Sequence, residues 1–140
     1  MNDNRSECLM SVDCTDFKIQ EPRPFNPNFF SHKINHAVFK YEVAVCIQTG
    51  WIVWGAGPFP AGDYSDLEVF CLYLKTYLSN GEHVECDHGY NGDYNVCTPS
   101  DYEGNVGWRQ MKGQARARHE AINGKLKEFN ILAGRSRWSR

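Results

Sequence analysis

The chain has 140 residues, 41% of them hydrophobic and 23% charged, with a net charge of −2. That is long enough to bury one core and ordinary for a single globular domain. No apolar run is long enough to span a membrane, and no signal-peptide segment precedes the six cysteines, which form no C-x-x-C pair. A disulfide framework and a secreted setting are therefore not expected, and a reducing intracellular compartment is. The near-neutral total hides a split. Residues 109–140 carry nine Lys/Arg against Glu120 and Glu128, while residues 1–108 are strongly acidic. An acidic body with a basic C-terminal element suits a polyanionic partner, although a solvated helix face gives the same count.

Leu9 to Thr15 reads as a short strand, with Phe17-Lys-Ile19 as an adjoining hairpin arm. Residues 21–32, with Pro22, Pro24 and Pro27, read as an ordered loop. Ala37 to Gln48 alternates and then becomes continuously apolar, as a strand covered on both faces does. Thr49-Gly50 marks a turn, Trp51 to Trp54 a returning strand, and the glycines and prolines from Gly55 to Gly62 a loop. Tyr64 to Leu78 predicts a helix, with Ser65 and Glu68 as a capping box and Asn80-Gly81 as its stop. Glu82 to Asp87 predicts a strand, residues 88–107 a loop, and Trp108 to Leu132 a longer helix. Met111, Ala115, His119, Ile122, Leu126 and Phe129 form its apolar stripe. The order β-β-β-α-β-α predicts an α/β protein with helices covering a mixed sheet.

Three acids stand out. Asp13 and Asp87 are expected at strand ends, where ligands gather in open α/β sheets. Each also fits the simpler role of starting a turn. Glu120 borders the apolar stripe of the last helix, so it can point toward the sheet. Its simpler role is a surface pair with Arg116, worth a few tenths of a kcal/mol. Three carboxylates on strand ends and a facing helix are the oxygen donors that Mg²⁺ or Mn²⁺ takes. Such ions serve phosphodiester cleavage and strand transfer. Zinc fits less well, because no Cys/His pair has zinc-ligand spacing.

The words around these acids resemble the catalytic domain of DDE superfamily endonucleases, the PIF/Harbinger-type transposases. Ser11-Val-Asp13-Cys-Thr15 looks like that family's first aspartate strand. Phe30-Ser-His-Lys33 looks like its Y-S-x-K segment, and Pro60 to Asp66 its P-G-S-x-H-D segment. Cys86-Asp-His-Gly-Tyr-Asn-Gly92 resembles A-D-x-G-Y-x-G, and Arg116 to Lys127 the closing R-x-x-x-E-x-x-x-G-R-L-K helix. The segments keep the family's order over roughly residues 9–132. The resemblance implies an RNase H-like mixed sheet flanked by helices and a nuclear, metal-dependent nuclease acting on DNA. Asp13, Asp87 and Glu120 would be catalytic, and Asp13, Asp66, Asp87 and Glu120 the metal ligands. Asp66 was not evident from the residues alone, since it reads equally well as a first-turn helix acid. Lys112, Arg116, Lys125 and Lys127 would hold the DNA backbone. Cys14 and Ser65 depart from the family's glycine and histidine. The helix-turn-helix expected before such a domain is missing from residues 1–140, which leaves room for a separate DNA-binding protein as a partner. The chain is accordingly expected to be one domain incomplete at both ends. The alternative expectation is a domesticated or decayed remnant that binds DNA or protein without catalysis.

Overall fold

The computed structural model describes residues 8–102 and 106–128, part of the last helix by its backbone alone. Its centre is an antiparallel pair, β1 (Cys8–Lys18) with β3 (His36–Cys46), in register from Met10 opposite Cys46 to Lys18 opposite Val38. The short β2 (Phe30–Ser31) pairs with the start of β3. β4 (Ile52–Pro60) runs antiparallel along β3 from Val45 to Phe39. On the far side of β1 lie β5 (His83–Glu85), parallel to it, and then β6 (Val96–Cys97), parallel to β5. Two helices complete the described residues, α1 (Asp66–Leu72) and α2 (Val106–Glu128). The protein is thus mixed α/β, with a mixed sheet of six strands and two helices among the described residues.

Several expectations are corrected. Phe17 does not start a hairpin arm. β1 continues through it to Lys18, because β3 is long enough to pair with the whole stretch. The glycine- and proline-rich segment after Trp54 is strand, not loop. β4 runs to Pro60 with irregular register against β3, and prolines are tolerated on such edges and bulges. Gly57, at φ +145°, is required there, since a Cβ would stand 2.6 Å from the Tyr41 ring. The expected loops at 21–32 and 88–107 contain β2 and β6, strands of two residues that show no period. The first helix is shorter than expected, ending at Leu72 and continuing as a 3-10 turn over Leu74–Tyr77. The capping box at its start holds: Ser65 N–H donates to Glu68 Oε2 at 2.7 Å, and Glu68 N–H to Ser65 Oγ at 3.2 Å.

The period of two along the strands sorts residues onto two faces. Val12, Ala44, Val84, Cys86 and Val96 pack with Phe70, Leu74 and Tyr90 into the core on the α1 side. Phe70 is fully buried and meets the Tyr90 ring edge-on at 6.2 Å. Its truncation to alanine is expected to cost about 3–5 kcal/mol. Ser11 and Asp13 alternate with Val12, so they face the other way, and α2 packs against β1. On α2, His119 is buried and Ile122 and Leu126 half-buried, as the stripe requires; Met111, Ala115 and Phe129 have side chains outside the described residues.

Candidate functional site

Asp13 is not at a strand end, as expected, but in the middle of β1. Its setting explains why it still lines an open cavity. Ser11 pairs with Glu85, the last residue of β5, so Asp13 stands two residues beyond the end of its parallel neighbour. There the sheet opens on that side and a side chain gains access. Cys14 N–H donates to Asp13 Oδ1 at 2.9 Å. Burial, then the charge of Asp87, push the Asp13 carboxyl up to about 6, with Asp66 adding to the rise and Lys33 opposing it.

Asp87 follows β5 and caps the 3-10 turn His88–Tyr90, its Oδ1 accepting from Gly89 N–H at 2.9 Å. The turn-starting role is therefore real, and it fixes one oxygen of the carboxylate. A Cβ on Gly89 would stand 3.1 Å from Asp87 Oδ1 and 3.4 Å from Asp66 Oδ2. The bare glycine lets the two carboxylates approach the same spot.

Asp66 is the first residue of α1, as a helix-start acid should be. Its Oδ1 is bound by Lys40 Nζ at 2.6 Å, and Lys40 also donates to the Tyr64 carbonyl at 3.0 Å. One oxygen is thus committed to a buried lysine, while the other turns toward Gly89. The charge of Asp66 reaches Asp13, but Asp66 does not line the cavity that Asp13 and Asp87 share.

Glu120 is exposed, yet it is not on the outer face of α2. It lines a cavity of about 100 Å³ together with Asp13 and Asp87. Glu85, Arg116 and His119 line the same cavity. Arg118 fastens α2 to the turn after β3 through the carbonyls of Ile47 and Gln48, the latter at 3.3 Å. Of the expected phosphate-holding residues, Arg116 lines the cavity and Lys125 is exposed. The side chains of Lys112 and Lys127 lie outside the described residues.

Glu85, His119 and Lys40 also belong to this neighbourhood. Glu85 sits two residues before Asp87, and its alternation with Val84 and Cys86 was a legible sign that it shares His83's face. His119 was assigned to the apolar stripe, although a histidine there signals a polar need. Lys40 carries no local signal, since its partner is 26 residues away in the chain.

Carboxylate oxygens are the donors that a hard divalent cation takes. Asp13, Glu85, Asp87 and Glu120 bring four carboxylates to the cavity, and the raised carboxyl of Asp13 reflects burial first and the charge of Asp87 second. Among the described residues, however, no three Asp, Glu, His or Cys side chains form a ready-made metal cage. None of the described helices is long and apolar enough to cross a membrane. No family model matches the chain, and neither a curated protein nor a solved structure matches it.

Proposed function

We propose that the chain is the catalytic domain of a divalent-metal-dependent DNA nuclease of the DDE transposase type, cutting or joining phosphodiesters. The observation that carries the reading is the cavity shared by Asp13, Asp87 and Glu120, three acids brought together from β1, the end of β5 and α2. The sheet supports it. Three antiparallel strands in the order β4-β3-β1, extended by β5 and β6 parallel to β1, suit an RNase H-like arrangement.

In this reading Asp13, Asp87 and Glu120 hold Mg²⁺ or Mn²⁺, with Asp66 as a further ligand. When bound, such ions supply positive charge to a phosphoryl group and lower the pKa of a bound water. The chain's own residues do the rest. Cys14 N–H and Gly89 N–H orient the Asp13 and Asp87 carboxylates, leaving further lone pairs for a cation. Arg116 and Lys125 offer cationic contacts to the nucleic-acid backbone.

The test is nicking of supercoiled plasmid DNA with Mg²⁺ or Mn²⁺, using Glu120→Gln and Asp13→Asn as controls. Metal-dependent nicking that both substitutions abolish supports the reading; nicking that survives both overturns it. A second reading, DNA binding without cleavage, is favoured by the Lys40–Asp66 ion pair, which occupies one candidate ligand with a protein cation. Metal-independent binding to DNA without nicking supports that alternative.

A further inference from the structure

His119 stands in the α2 wall of this cavity, 3% exposed. Among the described residues neither its Nδ1 nor its Nε2 has a hydrogen-bond partner. Buried polar groups are nearly always paired, because the desolvation cost of an unpaired one is not returned. The ring therefore lacks a partner that something entering the cavity can supply. A neutral imidazole ring carries one N–H donor and one acceptor nitrogen.

The neighbours indicate what that partner is. Asp13, Glu85, Asp87 and Glu120 give the cavity acidic walls, while Arg116, like His119 on α2, lines it as well. A group suited to both walls carries oxygen acceptors for the α2 donors and oxygens that a cation can bridge to the carboxylates. A phosphodiester does both.

We infer that His119 is a substrate-contacting residue whose ring N–H donates to a non-bridging phosphate oxygen of a nucleic-acid strand held in this cavity. The substrate class rests on the nuclease reading; the unpaired buried ring does not. Two substitutions separate this role from core packing. His119→Met fills similar space and removes both unpaired nitrogens, whereas His119→Gln keeps an N–H donor.

The experiment measures thermal unfolding and the anisotropy of a short fluorescein-labelled DNA duplex in Mg²⁺, on the full chain. His119→Met is expected to unfold at a higher temperature than the wild type and to bind the duplex about 10-fold more weakly, the worth of one hydrogen bond to a charged group. His119→Gln is expected to restore most of the binding. Duplex affinity in His119→Met equal to the wild type overturns the inference, as does loss of stability with no rescue by Gln. Should His119→Met not fold, the ring ¹⁵N signals of the wild type decide. A change on adding duplex supports the phosphate contact, and a change on adding Mg²⁺ alone makes His119 a metal ligand and overturns it. Wild-type nicking is scored in parallel. Nicking with unimpaired binding by His119→Met removes this inference alone, and impaired binding without any nicking removes the nuclease reading alone.

Discussion

The Tyr90 hydroxyl lies 3.1 Å from Cys14 Sγ, joining the residue after Asp13 to the turn that Asp87 caps. Tyr90 is fully buried, and its hydroxyl also donates to Glu42 Oε2 at 3.5 Å. The spacing of two candidate ligands thus depends on a phenol in the core beneath them. Tyr90→Phe keeps the ring against Phe70 and removes the hydroxyl. It is expected to lower stability by about 1–2 kcal/mol, the net worth of the two hydrogen bonds the hydroxyl makes, in urea unfolding. Divalent-cation affinity should fall with it, because Asp87 loses its tie to β1. Unchanged stability would show that the hydroxyl contributes nothing here.

Lys40 and Asp66 set the next expectation. The pair is largely buried, so it is worth more than a surface pair but less than one fully removed from water. Lys40→Met should cost roughly 2 kcal/mol in metal-free protein. If Asp66 is a ligand, losing its lysine partner should strengthen Mg²⁺ binding in calorimetric titration. Unaltered Mg²⁺ affinity would remove Asp66 from the site and leave the three-acid version standing.

Asp13 gives a pH dependence. Its carboxyl titrates near 6 because burial and the charge of Asp87 disfavour the anion. A cation must displace that proton, so Mg²⁺ affinity should weaken about tenfold per pH unit below about 6 and level off above it. Calorimetry at several pH values checks this, and Asp13→Asn should abolish the dependence together with most of the binding.

What was legible in the sequence followed local rules. The Ser65–Glu68 box, the alternation of β3 and the stripe around His119 each depend on neighbours a few residues apart; the box, the alternation and the His119, Ile122 and Leu126 part of the stripe are found. β4 hid behind its glycines and prolines, because only pairing with β3 makes that segment a strand. β6, two residues long, has no period to detect. Asp13 is expected at a strand end, but the strand that stops beside it is β5, not β1. Lys40 was invisible as a site residue because an ion pair with Asp66 exists only once β3 and α1 are packed.

Glu42 is fully buried on β3, opposite Cys14, and burial pushes its carboxyl up to about 7, with Tyr90 partly opposing the rise. Between the ordinary value of 4.5 and about 7 the folded state binds more protons than the unfolded one. Stability contributed by this group therefore falls as pH rises through that window, and is constant below it. Glu42→Gln removes the titration. It should be more stable than the wild type at pH 8 by on the order of 2–3 kcal/mol, and close to it at pH 4. Urea unfolding at the two pH values gives the comparison, and an equal difference at both would show that the Glu42 carboxyl titrates in the folded state as it does in the unfolded one.

The basic face of α2 gives the last expectation. Arg116 is exposed at the cavity and Lys125 is exposed two turns further along the helix. If they hold phosphates, each neutralises one backbone charge and releases its counterion, with no reading of base sequence. Arg116→Ala and Lys125→Ala should each lower the slope of log affinity against log salt by about 0.9 for duplex DNA. The loss should be alike for unrelated sequences, because phosphates are the same along every duplex. Lys125→Ala together with Lys127→Ala should lower the slope further if Lys127 shares the role. A slope unmoved by Arg116→Ala, or a change in sequence preference at constant affinity, would return these charges to an ordinary solvated helix face.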